Sequence, residues 1–159
     1  MHSSKNASAL LAAAALALFA GGVAAEARGA DTPALDAILG ITLGEDLDEV
    51  RDKLAGKGLR GGRDTRSGGF KEGWKLDEGE YGYIAYKTDR SNRIKWISGF
   101  YPPGEGVPFA ALGDLDKADR VTDNQVIWNV ARADGGYRLV AKGQRGRASV
   151  VYLLSLEDH

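Results

Sequence analysis

The sequence predicts an α+β fold, with a short helix or helices packed on an antiparallel sheet of about five to seven strands. Three observations predict it. One capped helical repeat stands near the start of the structured region, between Asp46 and Leu54. From Tyr81 onward, β-branched and aromatic runs alternate with turn residues. Glycine supplies 22 of the 159 residues, about twice its usual share, and falls mostly between apolar runs, where it marks turns.

The elements follow in chain order. Lys5, the apolar run 9–20 and Val23-Ala24-Ala25 have the layout of a secretory signal peptide cleaved near Ala25, residues 1–25. The expected compartment is therefore periplasmic or extracellular. Residues 26–34 are polar, small and proline-containing, and read as a disordered leader. Residues 35–159 are then one α+β domain, or two tandem helix-plus-hairpin units divided as 35–103 and 104–159. Ile38 to Leu43 reads as a short apolar strand and Gly44 as a turn. Asp46 is a good helix N-cap, and Glu49 completes a capping box. Leu47, Val50 and Leu54 then line one helix face, with Gly56 and Gly58 as stops. Residues 57–73 keep no period and read as a loop or a ragged edge hairpin. Strands are expected over 81–88 and 93–101, joined at 89–92. A second short helix is expected over 108–115, led by a proline in its first turn. Strands over 125–131 and 137–142 flank Asp134-Gly135, and 148–156 is apolar on both faces, as a central, fully covered strand would be.

Composition excludes much chemistry. There is no cysteine, so stability in an oxidising compartment must come from packing and hydrogen bonds, and no lipid anchor of the lipoprotein kind is expected. Without such an anchor, the cleaved product has no stable hold on a membrane. The net charge of −1 gives no global field for nucleic acid or an anionic membrane. The histidines are His2 and His159 alone. The processed domain therefore lacks the parts for a Ser-His-Asp triad, a Cys-His pair or an ordinary zinc site. No catalytic residue, cofactor or metal is expected.

The Gly40-Ile-Thr-Leu-Gly44 turn, the capped helix to Leu54 and the later aromatic hairpins resemble the small bacterial envelope proteins of the SmpA/BamE and β-lactamase-inhibitor-protein-like (BLIP-like) group. The resemblance covers residues 38–56 most specifically. It implies a glycine turn and short helix preceding antiparallel strands, a unit that occurs singly or in tandem, and a non-catalytic binding role. The lipidated cysteine of BamE-type proteins is absent, and Gly56-Lys57-Gly58 stands where that group often has Gly-x-Pro.

Four groups of residues could carry function. Asp77, Glu78 and Glu80 offer two carboxylates for a glycan hydrolase, although clustered acids beside Gly79 are more often a solvated turn. Asp114, Asp116, Asp119 and Asp123 have incomplete calcium-loop spacing and are better explained as caps. Arg60, Arg63, Arg66 and Phe70 lie in the glycine-rich segment, which reads as a surface loop or as a loop that plugs a secreted hydrolase. Tyr81, Tyr83, Trp96 and Tyr101 belong to a sheet with aromatics on both faces. Either that sheet is covered twice or one face recognises a partner, and the frequency of core aromatics in small β-rich domains favours double cover. These eight residues are the candidate binding surface. The leading expectation is a non-catalytic exported domain that binds another envelope protein. An inhibitor of a secreted hydrolase and a carboxylate-dependent glycan hydrolase are the alternatives.

Overall fold

The computed structural model describes residues 33–64, 69–133 and 135–156. The expected signal peptide, most of the leader, Arg66 and Asp134 lie outside the described residues, as do the side chains of residues 62–64.

The fold is α+β. Among the described residues a single eight-residue helix, α1 (Leu47–Leu54), packs on a nine-stranded antiparallel sheet. The strands are β1 (Gly58–Asp64), β2 (Lys71–Leu76), β3 (Tyr83–Thr88), β4 (Ile94–Phe100), β5 (Val107–Pro108), β6 (Arg120–Val121), β7 (Gln125–Val130), β8 (Tyr137–Gln144) and β9 (Arg147–Ser155). Their order is β1-β2-β3-β4-β9-β8-β7-β6, with β5 pairing the start of β9. Two four-stranded meanders, β1–β4 and β6–β9, thus meet through their last strands at the centre of one sheet. The strand count exceeds the five to seven expected, because residues 57–73 form the edge hairpin β1–β2 and short β5 and β6 add to it. The second helix is replaced by two 3-10 turns, Phe109–Ala111 and Leu115–Lys117. Among the described residues, no helix is long and apolar enough to cross a membrane.

Local chemistry explains the helix. The Asp46 carboxylate accepts a 2.9 Å bond from the Asp48 backbone N–H, filling one donor left open at the first turn. Asp48 and Glu49 favour the positive end of the dipole, and Arg51 and Lys53 the negative end. Leu47, Val50 and Leu54 are at most 2 % exposed, each contributing about 1.5–3 kcal/mol of burial. The segment before the helix is not the expected strand. Leu39 (φ 53°) and Gly40 (φ 71°) form a two-residue turn of the hairpin type. It pairs Ile38 with Ile41 through reciprocal bonds of 3.0 and 2.9 Å and drives both isoleucines into the core.

One face of the sheet is covered. Ile84 and Tyr86 of β3, Ile94 and Ile97 of β4, Val151 and Leu153 of β9, Leu139 and Ala141 of β8, and Val126 and Trp128 of β7 form a continuous core with α1, the Ile38–Ile41 turn, Phe109 and Leu112. A buried ion pair ties the helix to this face. Glu72, 2 % exposed, is gripped by the Arg51 guanidinium (Nε–Oε2 3.2 Å, with a second bond from Nη2 to Oε1) and accepts the Tyr86 hydroxyl at 2.7 Å. Trp74 Nε1 donates to Tyr86 Oη at 3.2 Å. Burial pushes the Glu72 carboxyl up, but the Arg51 and Tyr86 hydrogen bonds outweigh it and hold the group below its ordinary value.

Candidate binding face

The second face of the sheet decides the question that strand alternation left open. Three cross-strand rows lie on it, read from the register of adjacent strands. The first is Lys71, Lys87, Trp96, Leu154, Arg138, Asn129. The middle row is Gly73, Ala85, Ser98, Tyr152, Val140, Ile127, and the third is Lys75, Tyr83, Phe100, Val150, Lys142, Gln125. None of these side chains belongs to the core cluster under α1. Tyr83 is 41 % exposed, and Trp96, Phe100, Tyr152 and Leu154 are half-buried against one another. Expected double cover is therefore replaced by an open face among the described residues, and β9 is central but covered on one side.

The aromatics on this face touch in a chain. Tyr83 meets Phe100 edge-on at 5.6 Å between ring centres, Phe100 meets Tyr152 at 6.3 Å, and Tyr152 meets Trp96 at 6.3 Å. Such pairs add about 0.5–1.5 kcal/mol each beyond area and hold the rings in fixed orientation. Gly73 makes room for the first of them. A Cβ there would fall 1.8 Å from the Tyr83 hydroxyl, so the absent side chain lets Tyr83 lie down along the sheet. Ser98, fully buried below the rings, donates to the Ala85 carbonyl at 3.3 Å.

The eight residues expected at the binding surface divide. Tyr83 and Trp96 lie on the open face. Tyr81 and Tyr101 do not: they are 1 % and 7 % exposed, stacked at 4.8 Å in the core, and burial pushes the Tyr81 hydroxyl well up. Tyr101 follows Phe100 by plain alternation onto the side of Ile97, while two irregularities break the pattern elsewhere. The chain enters β3 only at Tyr83, with Gly82 bonded to Phe100 and Leu76, so Tyr81 escapes the alternation. In β4 a bulge between Ile94 and Trp96 puts Ile94 on the core face and Trp96 on the open one, where strict alternation would keep them together. Arg60 is exposed on edge strand β1, in register with core-side Trp74. Phe70 is half-buried and packs against the core, with the Arg51 guanidinium 5.6 Å above its ring. Phe100 and Tyr152, missing from the expected set, complete the aromatic chain.

The other candidate groups are dispersed. Asp77, Glu78 and Glu80 are exposed on the β2–β3 turn. Asp114 caps the 3-10 turn through Asp116 N at 3.0 Å, and Asp119 accepts from Asn129 N at 2.6 Å. Among the described residues no cluster of three metal-ligating side chains occurs. A recess of about 480 Å³ opens between Pro33, Trp128, Arg132 and Tyr137. Its most available cation is engaged, since Arg132 pairs with Asp36 at 2.7 Å and stacks 4.7 Å over Tyr137. Comparison with family models, with curated proteins and with solved structures gives no match to this chain.

Proposed function

We propose that this chain is a non-catalytic, exported domain of the cell envelope that binds another envelope protein through the open face of its sheet. One observation carries the reading: Tyr83, Phe100, Tyr152 and Trp96 form a contiguous, ordered aromatic surface on a face that neither α1 nor the 3-10 turns cover. Large aromatics held in place by their neighbours lose little entropy on binding, which is why they dominate interface energetics. Export rests on the amino-terminal Lys5, apolar run and small residues before Glu26, where the signal would be removed. The absence of cysteine and of any internal histidine supports binding over turnover. The resemblance to the SmpA/BamE and BLIP-like group points the same way, and the two meanders that meet at β4 and β9 suit a tandem arrangement of one unit.

Inhibition of a secreted hydrolase is a special case of this reading in which the partner is an enzyme. The open face favours it as the contact surface over the Arg60–Phe70 segment. The glycan-hydrolase alternative loses support from the exposed positions of Asp77, Glu78 and Glu80. The test uses the full chain, tagged and produced in its own cells. The expected result is a processed form in the envelope fraction that retains one partner, with retention lost in Trp96→Ser/Tyr152→Ser. Retention by the double variant, or an unprocessed chain confined to the cytoplasm, overturns the proposal.

A further inference from the structure

On the six strands from β2 across to β7 the charges around the aromatic surface are all of one sign; beyond them, Asp64 of edge strand β1 stands in register with Lys71. On the three rows, the ionisable side chains besides Tyr83 and Tyr152 are Lys71, Lys87 and Arg138 at the two sides of the first row and Lys75 and Lys142 at the two sides of the third. The middle row carries no charge. Five cations thus ring an uncharged centre on a chain whose net charge is −1, so the acids that balance them lie elsewhere on the molecule. None of the five is ion-paired among the residues whose side chains are described. Lys71 and Lys142 instead rest over aromatic rings, each with Nζ 5.8 Å from the ring centres of Trp96 and Tyr152, and Arg138 donates to the Asn129 side chain at 2.7 Å.

From this arrangement we infer that the partner presents an acidic protein segment, apolar along its middle and carboxylate-bearing along both flanks. The inference rests on the proposed binding role and adds the chemistry of the partner. The cations stand on strands from β2 to β8, five strands at about 4.8 Å spacing, so the ringed surface is about 19 Å wide, with the apolar centre over β4 and β9. A single helix is about 10–12 Å across with its side chains, so it seats on the centre and still brings carboxylates to both cationic margins. An apolar core with a polar rim is the anatomy of a protein interface, and rim charges of one sign set orientation and association rate. A second copy of this chain is disfavoured, because the same face would meet five like charges. A bilayer is a poorer fit, because Tyr83 lies over Gly73 and Trp96, Phe100 and Tyr152 are half-buried against their neighbours rather than freely exposed.

The test titrates the full processed chain with a fluorescent peptide of apolar core and glutamate flanks. A matched peptide with lysine flanks and vesicles of anionic phospholipid serve as comparisons. The acidic peptide is expected to bind at least tenfold more tightly than the basic one. Its affinity should fall at least tenfold in Lys87→Glu/Arg138→Glu, and also fall as salt rises from 50 to 300 mM, where exposed charges are screened. Equal affinity for the two peptides overturns the inference. Binding to vesicles without binding to the acidic peptide, or self-association lost in Trp96→Ser, also overturns it. Envelope-partner retention separates the two readings. If Lys87→Glu/Arg138→Glu retains the partner while Trp96→Ser/Tyr152→Ser loses it, the binding role stands and the acidic partner fails.

Discussion

Phe100 and Tyr101 are chain neighbours on opposite faces of one strand end, and their truncation to alanine separates the covered face from the open one. Tyr101 is 7 % exposed and stacked 4.8 Å from Tyr81, which is itself 1 % exposed. Removing a buried aromatic ring costs about 3–5 kcal/mol, and losing the ring pair belongs to the upper part of that range. Phe100 is half-buried and touches Tyr83 and Tyr152 at the surface. Its removal forfeits about half of one side chain's burial, ~1 kcal/mol, and two surface edge contacts at the low end of their range, about 2 kcal/mol in all. Urea unfolding of the chain reads both. At a slope of about 1.5 kcal/mol/M, Tyr101→Ala should lower the midpoint by about 3 M and Phe100→Ala by about 1–1.5 M. Since a domain of this size has only about 5–15 kcal/mol in hand, Tyr101→Phe provides a milder companion: it keeps the ring but loses the 3.4 Å hydroxyl contact to Tyr81, and should cost about 1 kcal/mol. Equal losses for the two alanine variants would refute the assignment of faces.

Three further outcomes follow from the same structure. Glu72→Gln should cost about 2–3 kcal/mol at pH 7, less than a fully enclosed pair because Arg51 keeps 24 % of its side-chain surface in water. The Glu72 carboxyl is held below its ordinary value, so its contribution is complete above about pH 4.5 and disappears as pH falls through the folded-state value. Wild type and variant should therefore converge in stability on acidification, in urea midpoints taken from pH 7 to 2.5. A Cβ at Gly99 would meet the buried Tyr81 ring at 2.6 Å, so Gly99→Ala should cost about 1–3 kcal/mol by overpacking, visible as a lowered thermal midpoint. Asp46→Ala removes the N-cap bond to Asp48 and should cost about 1 kcal/mol by the same measurement.

How far the sequence reaches depends on how far each signal is local. The cap and period at Asp46, Leu47, Val50 and Leu54 are contained within nine residues, and the helix forms where they place it. The β3–β4 hairpin is equally local: Asp89 accepts from Ser91 N and Arg93 N, and Asn92 takes a φ of 62°. What alternation alone does not carry is a change of phase. Tyr81 and Tyr83 are two residues apart and end on opposite faces because β3 starts between them. The bulge between Ile94 and Trp96 breaks the pattern in the same way within β4. The number of strands was hidden because β1 and β2 are glycine- and charge-rich edge strands with little apolar alternation.

The basic ring had a partial signal. Lys71 and Lys75, and likewise Arg138 and Lys142, are four apart on one strand and so share a face. Bringing those pairs to the two sides of one aromatic centre requires the pairing of β4 with β9, a contact between residues fifty or more positions apart. Nothing local encodes it. The same pairing brings Tyr152 beside Phe100 and Trp96, which is why Tyr152 reads as core in the sequence and lies on the open face in the structure.

The measurement closest to the central claim is site-specific photocrosslinking in intact cells, with a photoreactive phenylalanine placed at Phe100 or at Glu49. Phe100 lies on the open face, and Glu49 on the exposed side of α1 across the sheet. A single envelope-protein adduct from position 100, with none from 49, is the predicted result. Adducts from 49 alone, or the same adduct from both positions, would contradict it.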